Sequence, residues 1–203
     1  MYRTIDLNDV DFNIYDAPIG VSVSGGADSA LVLFLLMKYC KNHITIFSTD
    51  TSLIPHRGVI AKNIVNKCSE LTGNNNYVHI IDKIEEHPTQ HNIFKEPMKY
   101  QEDGFIDIIY TGLTSNPDVE LKYDDTKISS RNRESKSKDT LDDNNFYAPF
   151  INHDKKKIAE IYDKFNLLDS LFPLTYSCVN SKTIIHCDNC WWCEERKWAF
   201  KRL

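Results

Sequence analysis

No apolar run in this chain is long enough to cross a bilayer. The longest, ALVLFLLM from Ala30 to Met37, falls far short of the ~20 residues that a spanning helix needs, so no membrane partner is expected. The first residues, MYRTIDLNDVDFNIYD, are polar and acidic. They lack the basic patch and apolar stretch of a secretory signal, and the expected location is the cytoplasm. Basic charge is not in excess: the formal net charge is −5, which disfavours general nucleic-acid binding by bulk electrostatics. There is no internal repeat. The two commonest phosphate fingerprints, G-x-x-x-x-G-K-[ST] and G-x-G-x-x-G, are both missing. What remains is an ordinary globular composition, 41% hydrophobic and 26% charged, over 203 residues. That length suits one domain with a small appendage.

The periodicity alternates. Residues 19–24 read as a strand, 27–41 as a helix apolar on most faces and therefore buried, and 43–50 as a second strand. Residues 57–72 place Val59, Ile60, Ile64, Val65, Cys68 and Leu71 at helical spacing, and Gly73 ends that helix. Strands are predicted at 77–82 and 104–112, and helices at 152–166 and in the final EERKWAFKRL. Such alternation predicts an α/β fold, a parallel sheet with helices on both faces. Ligands of such sheets bind at the carboxyl ends of the strands. Residues 116–145 are almost entirely polar and read as a surface loop or as a lid over substrate. Within them, RNRESKSK (131–138) is basic, a solvated stretch or a contact for phosphate or RNA.

At the first strand-to-helix corner stand Ser24, Gly25, Gly26, Ala27, Asp28 and Ser29. Two glycines let the backbone turn sharply and approach a ligand closely. The N–H groups that follow open a helix, and with the serine hydroxyls they make a nest for phosphate. Asp28 would repel phosphate by itself, so a divalent cation, Mg²⁺, is expected between them. The plainer reading is a helix cap.

Six cysteines are present. Cys178, Cys187, Cys190 and Cys193 follow a C-x8-C-x2-C-x2-C pattern, four thiolates suited to a closed tetrahedral Zn²⁺ site. With no open position left, the zinc would be structural. An iron–sulfur cluster is the main alternative. Cys40 and Cys68 read as buried hydrophobes. His186 could replace a ligand, although four sulfurs suffice. Trp191 and Trp192 suit packing against the domain, with stacking on a planar ring as the alternative.

The S-G-G-x-D-S corner resembles the PP-loop of the N-type ATP pyrophosphatases. Combined with the cysteine spacing, it is similar to the 7-cyano-7-deazaguanine synthases, the QueC/ExsB family of queuosine precursor biosynthesis. YAPFINHDKKKIAEIYDKFNLLDSLFPLTYSC (147–178) resembles that family's stretch before the first cysteine. Thr175-Tyr176-Ser177-Cys178 takes the place of Thr-Trp-Ser-Cys, Lys157 replaces a helix glutamate, and Arg196 matches the arginine after the knuckle. The family's Tyr-Pro-Asp-Cys-Arg-like motif is represented only by Asn116-Pro117-Asp118.

The resemblance implies a Rossmann-like PP-loop domain over 1–166 and a zinc-binding segment over 167–203. It implies that Val23, Ser24, Gly25, Gly26, Ala27, Asp28 and Ser29 bind ATP, and that Thr49 and Asp50 meet its ribose or adenine, against the plain reading of a strand end. Lys155 is nominated as the catalytic lysine; its alternative is a solvated helix lysine beside Lys156 and Lys157. The implied reaction is a ligase's: ATP-dependent conversion of 7-carboxy-7-deazaguanine and ammonia to the nitrile through an adenylate. Expected partners are ATP, ammonia and a deazapurine acid, with neither membrane nor nucleic acid, and with a homodimer left open. Alternatives are another PP-loop enzyme, such as a tRNA-modifying enzyme or amide ligase, and a degenerate nucleotide-binding module with a zinc knuckle.

Overall fold

The computed structural model describes residues 1–51, 56–84, 90–123, 140–178 and 183–203. The basic stretch 131–138 and the centre of the polar segment lie outside the described residues.

A hairpin comes first, β1 (Tyr2–Asp6) against β2 (Asp11–Tyr15), antiparallel. Then follow β3 (Ile19–Ser22), α1 (Ala27–Tyr39), β4 (Ile44–Thr51), α2 (Arg57–Thr72) and β5 (Tyr77–Ile84). Next are α3 (Gln90–Glu102), β6 (Ile108–Tyr110), β7 (Phe146–Tyr147), α4 (Lys155–Lys164) and α5 (Trp191–Phe200). The second sheet runs β5-β4-β3-β6-β7, with every pairing parallel. Chain order reverses direction at β3, so β3 and β6 flank the switch point, where open α/β sheets bind their ligands.

Strand alternation sorts side chains to two faces. Ile19, Val21, Ile44, Ile46, Ile108 and Tyr110 join the main core with α1, α2 and α4. Phe47, Ile106 and Ile109 form a smaller core with Tyr100 of α3 on the other face. Helix α1 is buried at every position from Ala27 to Met37, as its all-round apolar sequence predicts. The expected strand at 104–112 is shorter, Ile108–Tyr110. Gly104, at φ +75°, turns the chain out of α3, and Phe105 is exposed. Helix α4 begins at Asp154, whose carboxylate accepts from the Lys156 and Lys157 N–H groups.

The hairpin is tied on by two tyrosines rather than by strand pairing. The Tyr110 hydroxyl donates to the Asn13 carbonyl (2.9 Å) and accepts from the Tyr15 N–H (3.1 Å). The Tyr147 hydroxyl donates to the Asp11 carbonyl (3.0 Å) and accepts from the Asn13 N–H (2.8 Å). Burial pushes both phenols well above their ordinary range, so each remains a neutral hydroxyl able to donate and accept. The 167–203 stretch shares the same core through Leu167, Leu171, Phe172 and Phe200. No helix among the described residues is long and apolar enough to cross a membrane.

Candidate functional site at the first strand-to-helix corner

Backbone pairing continues past β3 with the Val23 N–H to the Phe47 carbonyl, 2.8 Å. The chain then turns at Gly25, φ +91°, a left-handed conformation that favours glycine. Gly26 is the extended N-cap of α1 and brings no side-chain cap to the helix start. The Ser29 hydroxyl accepts from the Ser24 N–H (3.2 Å) and donates to the Gly26 carbonyl (3.1 Å). The Ser24 and Ser29 hydroxyls are 3.2 Å apart. From the far side of the switch point Gly112 presses on the corner. A Cβ there would lie 2.4 Å from the Ser29 nitrogen, so only a glycine fits without moving the start of α1.

Around this corner the second half of the chain closes. The Tyr176 N–H donates to the Gly25 carbonyl (2.8 Å), and the Tyr162 hydroxyl to the Ala27 carbonyl (2.9 Å). Ser24, Gly25, Arg57, Tyr176, Ser177 and Cys178 line one crevice. Arg57 opens α2 and is the cation of that lining. Thr49 is buried near the end of β4. Asp50 accepts from the Thr51 N–H (3.1 Å) and the Gly58 N–H (3.4 Å), so its carboxylate faces the first turn of α2.

Lys155 is not a solvated helix lysine. It is 3% exposed, and its Nζ lies 3.1 Å from Asp28 Oδ2 and 2.9 Å from Glu195 Oε2. Asp28 is itself 9% exposed and Glu195 fully buried. The other Asp28 oxygen, Oδ1, is buried with no hydrogen-bond partner among the described residues. Neighbouring Arg196, also buried, donates to Thr175 Oγ1 (2.7 Å) and the Phe172 carbonyl (3.0 Å). Its guanidinium lies 3.7 Å from the Phe172 ring centroid. Burial pulls its pKa down to about 10, which leaves it charged at neutral pH.

The four knuckle sulfurs all lie within 4.8 Å of one another, and none is in a disulfide. Cys187 and Cys193 Sγ are 3.9 Å apart. A tetrahedron with metal–sulfur bonds of about 2.3 Å has edges of roughly 3.8 Å, so the donor set fits zinc. The hydrogen bond with Cys178 pushes the Cys190 thiol up to about 11. Clustered thiols resist ionising together, and a central cation removes that resistance. His186 Nδ1 is 3.6 Å from Cys193 Sγ, beside the sulfurs rather than among them. Trp191 is buried, and Trp192 packs on the cysteine cluster. The Tyr176 hydroxyl reaches the Thr183 and Ile185 carbonyls at 2.8 and 3.0 Å. Tyr176 thus touches both the corner, through its N–H, and the knuckle.

A family model described as "QueC: Queuosine biosynthesis protein QueC" matches residues 105–203. The match takes in the C-terminal part of the chain, which is similar to that family. No curated protein matches it. The QueC-matched part carries Lys155, Glu195, Arg196 and the four cysteines, while Ser24–Ser29 precedes it. The structure brings the two parts to one place.

Three contributors to this site are not visible in the sequence. Glu195 is buried where α5 packs against α4, which no local pattern reports. Arg57 lay in a helix read only for its apolar face. Gly112 was read as the end of a strand, although a glycine just beyond a strand in an α/β fold marks a close approach worth testing.

Proposed function

We propose that the chain binds ATP at the Ser24–Ser29 corner and uses it to convert 7-carboxy-7-deazaguanine and ammonia to 7-cyano-7-deazaguanine. The observation that carries this reading is the buried Asp28 oxygen with no hydrogen-bond partner among the described residues, at a corner onto which the QueC-matched part folds. The backbone donors at the start of α1 and the hydroxyls of Ser24 and Ser29 would hold the β- and γ-phosphates. Arg57 would add a cation from the crevice wall. Asp28 would hold Mg²⁺, which neutralises charge on the leaving pyrophosphate.

The carboxylate attacks the α-phosphorus, the α–β bridging bond breaks and pyrophosphate departs. Ammonia then displaces AMP from the acyl adenylate and loses a proton, leaving an amide. A second ATP adenylates the amide oxygen, and loss of AMP and a proton leaves the nitrile. Two ATP are consumed for each nitrile, and two AMP and two pyrophosphate are released. The chain's part is positioning and charge stabilisation. The four cysteines would hold a structural zinc that fixes the segment carrying Tyr176 and Glu195.

One observation favours a different acid at the same corner: Asn116-Pro117-Asp118 stands where the family carries Tyr-Pro-Asp-Cys-Arg. Purified protein with ATP, Mg²⁺, ammonia and candidate deazaguanine acids, followed by mass spectrometry, tests both readings. Nitrile with two AMP per product supports the first. AMP formation with another acid alone supports the second, and no AMP with any acid overturns both.

A further inference from the structure

The lysine nominated as catalytic is held at the corner by two carboxylates. Lys155 Nζ is bound between Asp28 Oδ2 and Glu195 Oε2, and all three side chains are buried. The three groups together carry one net negative charge. Glu195 stands two residues after Cys193 on α5, the helix that Cys190 caps. Asp28 stands in the first turn of α1. One buried cation therefore joins the helix mounted on the cysteines to the carboxylate that faces the phosphates.

We infer that Lys155 and Glu195 are positioning residues that set the charge Asp28 presents to nucleotide, so that metal occupancy at the cysteines and binding of Mg²⁺-bound nucleotide are coupled. This rests on the nucleotide reading above. With Glu195 in place, the positive charge of Lys155 is divided between two carboxylates, and Asp28 retains charge to attract Mg²⁺. Without Glu195, more of the Lys155 charge falls on Asp28. The corner then becomes more positive by one charge: it attracts bare phosphate more and Mg²⁺ less. Displacing α5 by removing its metal draws Glu195 away and has the same direction. Coupling of this kind is reciprocal.

The test uses the full zinc-loaded chain and pyrophosphate as probe. Wild type and Glu195→Gln are titrated calorimetrically with and without Mg²⁺, and zinc content is measured in both. The expected result is unchanged zinc, Mg²⁺-free binding tightened about fivefold or more, and the gain in affinity from Mg²⁺ reduced by a similar factor. A structural role alone would weaken both affinities together; that result, or no change in either, overturns the inference. Wild type alone provides the second arm. Competition with a chelating dye should show zinc affinity raised about fivefold or more by saturating Mg²⁺ and ATP, and equal affinity overturns the coupling even if Glu195→Gln does not fold. If wild type binds neither pyrophosphate nor ATP, the nucleotide reading falls; if it binds them and these shifts are absent, only the coupling falls.

Discussion

The strand-to-helix corner and the cysteine knuckle reach order by different routes. At the corner, backbone geometry does the work: a parallel pairing ends, Gly25 adopts φ +91° and α1 starts on a buried apolar shaft. Among its described residues the knuckle has little regular structure before Trp191, and its four sulfurs lie close enough together to hold a metal ion. The corner is shaped by backbone turns and packing, and the knuckle by a donor set that could hold a metal ion. The Asp28–Lys155–Glu195 bridge makes the first sensitive to the second.

The largest expected effect separates the two regions. Cys193→Ser should abolish stoichiometric metal, because a structural zinc contributes on the order of 10 kcal/mol to a small metal-folded unit. Metal analysis checks the first part. Hydrogen exchange should show protection lost in 183–203 and kept in β3 and β4; simultaneous loss in both would make them one cooperative unit. Next comes Lys155→Met, which leaves two buried carboxylates without their cation. Breaking such a pair costs about 3–5 kcal/mol, read by denaturant unfolding.

Two glycines then sharpen the comparison within the first region. Gly112→Ala pushes a Cβ to 2.4 Å from the Ser29 nitrogen, and should weaken ATP binding about tenfold or more, as displacements of around 1 Å in a positioned site do. Gly73, at φ +72° with nothing within 4 Å of its missing Cβ, is the control. Gly73→Ala should cost about 1 kcal/mol of stability and leave ATP affinity unchanged. Tyr147→Phe should cost about 1–3 kcal/mol by leaving the Asn13 N–H without its acceptor, detected as loosening of the hairpin.

The smallest effect is a pH slope. Burial, then the charge of Lys62, lowers the His79 pKa from 6.5 to about 4; its Nε2 lies 2.9 Å from Ser48 Oγ. The unfolded chain therefore takes up this proton first. The contribution to stability is present above pH 6.5 and is lost as pH falls toward 4. His79→Gln should flatten thermal stability across that window, while acid release of metal from the cysteines persists in both proteins.

Elements that bury themselves locally were legible in the chain. The strands at β3, β4 and β5, the buried α1 and the glycine stop of α2 follow from apolar period and turn residues. The hairpin β1–β2 was not, because a polar, acidic segment reads as loop until Tyr110 and Tyr147 supply its hydrogen-bond partners from 95 or more residues away. Helix α3 was missed for a similar reason: Pro97 interrupts its pattern, and packing of Tyr100 against Phe47 gives it a partner the local sequence does not show. The polar segment 116–145 could not be divided by composition, yet its described end returns as β7 beside β6.

By itself, the sequence singled out the residues proposed here to meet phosphate and the four that could hold a metal, since S-G-G-x-D-S and four spaced cysteines have few other uses in those patterns. Tertiary structure alone decided where Lys155 sits and which groups it pairs with. A lysine beside two others on a helix carries no mark of burial, and its partners lie 127 residues before it and 40 after it. Charge pairing over such separations depends on which helix faces meet, and packing of α1, α4 and α5 settles that.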